Sequence, residues 1–224
     1  MTDPSAPDSL HVTYLFDPLC GWCYGAAPMV RQLAATPGIT VELAPTGLFS
    51  GDGARPMDQG FAAYAWSNDQ RIERLSGQRF TEAYRQKVLN APALNARPQM
   101  FDSGPATLAL TAVSLTAPDA ERDALNAIQE ARYVDGRDIV SPARLAEILR
   151  EAGLDAAAGL IATPSDALVA ANRARTNKAR QMMAALGAQG VPTLVVTDAS
   201  GRRMLRSNAL FGGFDDLLAA IRAA

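Results

Sequence analysis

YLFDPLCGWCYGAAP, residues 14–28, carries both cysteines of the chain, Cys20 and Cys23, at C-x-x-C spacing. Such a pair can be half of a metal site, a structural staple or a redox couple, and its surroundings have to decide. Residues 10–16 (LHVTYLF) are rich in β-branched and aromatic types and predict a buried strand. Residues 25–35 (GAAPMVRQLAA) predict a helix, with Met29, Val30 and Leu33 on its apolar face. Pro28 should kink that helix or mark its first turn. Residues 38–45 (GITVELAP) predict a second strand, which completes a strand–helix–strand unit with parallel strands.

Residues 47–58 (GLFSGDGARPMD) read as a loop by their Gly, Asp and Pro content. Period-2 runs then vanish for about 130 residues. Helical spacing runs through 59–75, 81–89, 104–116 and 120–134. Ser141-Pro142 opens a further helix, with Gly153 after its end. Residues 163–166 (TPSD) cap a long helix that should stop near Gly187. Strand character returns at 193–197 (TLVVT), with DASG as a hairpin turn and RRMLRS as the partner strand. GGFDDLLAAIRAA closes the chain as an amphipathic helix. The expected order is βαβ, a helical block, then αββα, with no internal repeat.

At 224 residues, the chain can be one large domain or a small domain carrying an insertion. Its 48% hydrophobic and 20% charged residues are ordinary for a soluble globular protein. A net charge of −2, with scattered Lys and Arg, gives no general pull toward nucleic acid or anionic membrane. No apolar run approaches about 18 residues. The polar, Pro-containing start MTDPSAPDSL lacks the marks of a secretory signal, so the expected location is cytoplasmic.

A zinc site needs four ligands, and besides the two cysteines the chain offers one histidine, His11. Carboxylates or a second subunit would have to complete it, so no metal is expected. A staple across so short a loop removes little unfolded-state entropy. The redox reading has a physical basis. Cys20 falls where a strand ends and a helix begins, and the helix terminus favours a thiolate there. Cys23 lies one turn on, within reach of a mixed disulfide on Cys20. Trp22, between them, reads either as a flat apolar platform for substrate or as packing onto the helical block. Trp66, with Phe61 and Tyr64, reads as packing. Phe49, Met57, Met100 and Phe101 flank loops that could line a groove over Cys20, although apolar loop residues are more often simply buried.

A second signal is distant. GVPTLVV (190–196) puts Pro192 directly before a strand. Alone this is a common strand-start proline. After a C-x-x-C-bearing βαβ unit it is more. DPLCGWCYGAAP and QGVPTLVV resemble the DsbA-like branch of the thioredoxin superfamily, and in particular its cytosolic members described as predicted protein disulfide isomerases. The likeness runs from about residue 10 onward, in element order as well as in motifs.

The resemblance implies an α/β thioredoxin-like fold (βαβ…αββα) with a large all-helical insertion. The thioredoxin-like domain would comprise 10–57 plus 175–224, and the insertion 58–174. It implies a thiol–disulfide oxidoreductase or isomerase in which Cys20 is the nucleophile and Cys23 the resolving thiol. Pro192 would be cis, Val191 would pair with substrate, and Trp22 would join them in substrate binding. Thiol or disulfide substrates are implied, protein or glutathione, with glutathione as co-substrate or reductant but with no residue singled out for it. No metal or organic cofactor is required, no nucleic-acid or membrane partner is expected, and the chain could be a monomer or a homodimer.

Two departures bear on the chemistry. Members of the superfamily often place a buried acid six residues before the first cysteine; here that residue is Tyr14. Asp17 could substitute for it, or could simply form the turn before Pro18. The strongly oxidising members carry His between the cysteines, whereas Gly21-Trp22 offers no charge, which predicts a weaker oxidant. The rival enzyme class is a glutathione-dependent transferase or isomerase of the kappa-class type; those usually keep a single Ser or Cys, so Cys23 argues against it. A non-enzymatic binding module with vestigial thiols is the third reading, and it would keep partner binding after Cys20→Ser.

Overall fold

The computed structural model describes residues 10–91 and 99–223; the polar N-terminal stretch 1–9 lies outside the described residues. β1 (Leu10–Phe16) and β2 (Ile39–Pro45) pair in parallel from Leu10 against Ile39 to Phe16 against Pro45, with α1 (Gly21–Ala34) as the crossover. β3 (Arg55–Pro56) pairs antiparallel with β4 (Met100–Phe101) in a separate two-residue ladder. The helical block comprises α2 (Gln59–Ser76), α3 (Glu82–Tyr84), α4 (Gly104–Thr116), α5 (Glu121–Tyr133), α6 (Pro142–Glu151), α7 (Asp155–Ala162) and α8 (Asp166–Leu186). A single wide turn, Arg85–Leu89, extends α3. The chain returns as β5 (Thr193–Asp198), β6 (Gly201–Leu205) and α9 (Phe214–Arg222). The main sheet has the order β2-β1-β5-β6, with β5 antiparallel to β1 and to β6. This is the expected thioredoxin-like order with its helical insertion.

Alternation along the strands builds a core on each face of the sheet. Val12, Tyr14 and Phe16 of β1 join Ala26, Val30 and Leu33 of α1 and Leu217 and Ile221 of α9. Leu15 and Val195 point the other way, onto Ala179, Met182 and Met183 of α8. Helix ends follow the sequence signals. Ser141 and Ser165 cap α6 and α8 through their side chains, and Gly187 ends α8 in the left-handed conformation at φ 68°. The division expected at residue 174/175 passes through the middle of α8, which reaches both α4 and β2 as one unbroken helix.

Candidate active site

Cys20 is placed by the way β1 is stopped. Asp17, fully buried, accepts the Leu19 N–H on Oδ1 at 2.9 Å and, on Oδ2, the Phe49 N–H at 3.2 Å and the Ser103 hydroxyl at 2.7 Å. Phe49 belongs to the loop after β2 and Ser103 precedes α4. One carboxylate therefore ties the turn before Cys20 to a loop and to the insertion. The Cys20 N–H closes that turn on the Asp17 carbonyl at 3.1 Å, and the Tyr133 hydroxyl of α5 donates to the Leu19 carbonyl at 2.7 Å. Burial pushes the Asp17 carboxyl above its ordinary pKa, against the pull of its hydrogen bonds from Ser103, Leu19, Phe49 and Leu48. Its hydrogen bonds fit the turn-forming reading, and its charge also acts on Cys23, raising that thiol's pKa.

Cys20 is the N-cap of α1, in extended conformation, and its Sγ accepts the Cys23 N–H at 3.4 Å. The sulfur occupies the place of a capping oxygen, among N–H groups with no partner in the helix. On its other side, the Cys20 thiol donates to the Val191 carbonyl at 3.6 Å, and the Val191–Pro192 peptide is cis. The pairing of Leu15 with Thr193 brings this distant segment to the end of β1. Cys20 keeps 7% exposure and Cys23 only 1%, so Cys20 is the more accessible of the two; both are free thiols. Burial, then the hydrogen bond and charge of Cys20, raise the Cys23 pKa well above the usual thiol value. The Tyr14 hydroxyl donates to the Cys23 carbonyl at 3.1 Å, and its pKa is raised by burial first and then by the sulfurs of Cys23 and Cys20. Among the described residues no group of three or more His, Cys, Asp or Glu is placed to hold a metal; His11 lies 3.5 Å from Glu42.

The insertion presses on the pair from one side. A Cβ on Gly21 would overlap Asp69 Oδ1 of α2 and lie 3.2 Å from Ile72 Cδ1. Asp69 accepts the Tyr84 hydroxyl at 2.9 Å; Tyr84 meets Tyr133 edge-on at 5.0 Å, and Tyr133 stacks on Tyr24 at 4.8 Å. The Arg132 guanidinium lies 5.5 Å from the Tyr84 ring and 5.7 Å from that of Tyr133. Burial pushes the Asp69 carboxyl up to about 7, opposed by the Tyr84 hydrogen bond and the Arg132 charge. Pro28 lies well inside α1, not in its first turn. Because it has no N–H, the Tyr24 carbonyl one turn earlier is left open, and Gln78 Nε2 of the insertion takes it at 3.2 Å.

Residues 11–217 match the family described as the DSBA-like thioredoxin domain. The chain belongs to the DsbA-like thioredoxin family. It is 31% identical to a solved structure of the cytosolic disulfide reductase DsbM from Pseudomonas aeruginosa, over 96% of this chain and 100% of that one, with a TM-score of 0.80. A structure of that reductase with glutathione (GSH) matches at 31% identity over 94% and 96%, with a TM-score of 0.75. Pseudomonas aeruginosa DsbA, at 20% identity over 98% and 83%, shares the fold with a TM-score of 0.53. None of the curated protein sequences compared matches the chain. By family and fold it is a DsbA-like disulfide oxidoreductase.

Trp22, Val191 and Pro192 line one groove of about 800 Å³. Trp22 is half-buried, edge-on to Phe211 at 5.1 Å, with the Arg71 guanidinium 5.7 Å from its ring centroid. It therefore packs, chiefly on the C-terminal segment, and still presents a surface to the groove. Phe211, Arg71 and the stretch 204–208 escaped the sequence reading, because only tertiary packing brings them here. Phe49, Met57, Met100 and Phe101 do not line this groove. Phe101 is buried between Phe49 at 4.8 Å and Phe61 at 5.1 Å, where ring packing outweighs exposure. Trp66 packs 6.5 Å from Tyr84.

Proposed function

We propose that the chain reduces disulfides in the cytoplasm through a Cys20–Cys23 couple, with glutathione as the source of electrons. One observation carries the reading: the more accessible sulfur, Cys20, sits at the α1 N-terminus and 3.6 Å from the Val191 carbonyl of the cis-proline loop. The Cys20 thiolate attacks one sulfur of the substrate disulfide; a Cys20–substrate bond forms and the other sulfur leaves as a thiolate. Cys23 gives its proton to that thiolate and attacks Cys20 Sγ, which forms the Cys20–Cys23 disulfide and releases the second substrate thiol. Two electrons have passed to the substrate. Two glutathione thiols then restore the dithiol and leave as glutathione disulfide. If a substrate thiol resolves the first mixed disulfide instead of Cys23, the same chemistry isomerises.

The raised Cys23 pKa suits this order, since the second thiol stays protonated until its partner is engaged. The description of DsbM as a cytosolic disulfide reductase, and its structure with glutathione, support the location, the direction and the electron donor. Cys23→Ser is expected to lose dithiol turnover and to accumulate Cys20-linked adducts with glutathione or client proteins, read by mass spectrometry under non-reducing conditions. Undiminished turnover in that variant would favour the single-thiol, kappa-type reaction.

The potential gives a second check. Gly21 and Trp22 bring no positive charge to Cys20, so the reduced form is stabilised less than in the strong oxidants. Equilibration against glutathione buffers should give a value well below about −120 mV, toward the range of about −200 to −270 mV found for cytosolic reductants. A midpoint near −120 mV would contradict the assignment.

A further inference from the structure

The groove beside Cys20 has a charge pattern that a protein client does not require. Two arginines enter its lining, Arg71 from α2 of the insertion and Arg206 from the end of β6, and among the described residues no Asp or Glu accompanies them. The chain as a whole is net negative at −2, so this is a local feature. Neither guanidinium makes a hydrogen bond or an ion pair with the described residues; Arg71 is held over the Trp22 ring instead. The two cations come from different elements, one in the helical insertion and one beside the main sheet. Val191 and Pro192 also line the groove, and the Val191 carbonyl is the one that Cys20 touches. Trp22 and Phe211 supply an apolar surface, and Gln189, Ser207 and Asn208 supply amide and hydroxyl groups. A volume of about 800 Å³ lies within the range of small-molecule sites.

We propose that Arg71 and Arg206 form a two-point carboxylate subsite, selecting a small cysteinyl peptide with one carboxylate on each side of its sulfur. Glutathione is such a molecule, and the inference rests on the glutathione reading above. Arginine suits the task because its planar fork binds carboxylate bidentately. The sulfur of such a peptide lies between its two carboxylates, and Cys20 touches Val191, which lines the groove that both cations enter. The arginines thus set specificity, and the thiols do the chemistry.

The test separates binding from exchange. S-methylglutathione, a thioether that cannot exchange, is titrated into the reduced protein by calorimetry. Saturable binding is expected, weakened roughly tenfold in Arg71→Gln and in Arg206→Gln, as loss of a charge-assisted hydrogen bond implies. Arg71→Lys and Arg206→Lys should recover part of it, and added salt should weaken it in the wild type. Arg31→Gln removes the same charge outside the groove and should bind as the wild type does. The diethyl ester of the probe, with both carboxylates blocked, should bind at least tenfold more weakly. Absence of saturable binding, equal binding of the diester, or undiminished binding in both glutamine variants would overturn the subsite. Binding without disulfide turnover would keep the subsite and defeat the redox reading; turnover without binding would do the reverse.

Discussion

Asp17→Ala should destabilise the protein by about 4 kcal/mol or more, since hydrogen bonds to a charged group contribute about 1.5–3 kcal/mol each and stranded donors add a desolvation cost. Leu19 N–H, Phe49 N–H and the Ser103 hydroxyl all converge on the carboxylate at 2.7–3.2 Å, and the residue is fully buried. Alanine leaves them facing an apolar gap. In a chain of this length the melting temperature should fall by roughly 8–16 °C, read by calorimetry or as a lowered denaturant midpoint. Asp17→Asn, which keeps the shape and one good acceptor, should fall between. The loss should stay close to the turn, because the loop bearing Phe49 is also held by Arg180 Nε on the Thr46 carbonyl at 2.7 Å. An alanine variant as stable as the wild type would mean that water satisfies the freed donors, and would remove Asp17 from the list of groups that fix Cys20.

What the sequence showed about this site divides along a physical line. Features written in local backbone chemistry were legible. The strand–turn–helix context of Cys20, the serine cap and glycine stop of α8, and the strand that follows Pro192 each depend on neighbouring residues alone. Features created by packing were not. The two-residue ladder of Arg55–Pro56 with Met100–Phe101 is too short to show period 2. The helix α7 (DAAAGLIA) went unremarked because it is apolar nearly all round, without the contrast between faces that marks an amphipathic helix, and it buries Ala157, Ala158 and Ile161. For Phe49, Met57, Met100 and Phe101 the sequence left a groove lining open beside simple burial, and only packing decides, because proximity along a loop does not set direction: Phe101 is buried. Asp69 shows the limit best. Among Ser67, Asn68, Gln70 and Arg71 it reads as one more polar residue of a solvated face, yet it is 5% exposed and lies against Gly21. The only trace of it near the motif is the absent side chain at position 21.

That buried carboxyl carries a large pH dependence. Asp69→Asn is expected to be more stable than the wild type above neutral pH, and the gap should close in acid. An unfolded aspartate titrates near 3.9, whereas burial raises the folded Asp69 to about 7. Between about pH 4 and pH 7 the unfolded chain has lost this proton and the folded chain still holds it. The folded state then binds more protons, so wild-type stability falls as pH rises across this window and levels off above it. A displacement of about three pKa units corresponds to about 4 kcal/mol at the upper limit. The asparagine is neutral throughout, keeps an acceptor for the Tyr84 hydroxyl, and escapes that fall. Denaturant midpoints of both proteins from pH 4 to pH 8 should therefore diverge up to about pH 7 and run parallel beyond. Arg132 provides the opposing case. It is 2% exposed, its Nε has no hydrogen-bond partner among the described residues, and its charge draws the Asp69 pKa down. Should that attraction outweigh the desolvation of the carboxylate, Asp69→Asn would strand a buried cation and be less stable at neutral pH and above. The sign of the difference at pH 8 thus decides whether Asp69 is held against Gly21 as a neutral acid or as the counter-ion of Arg132.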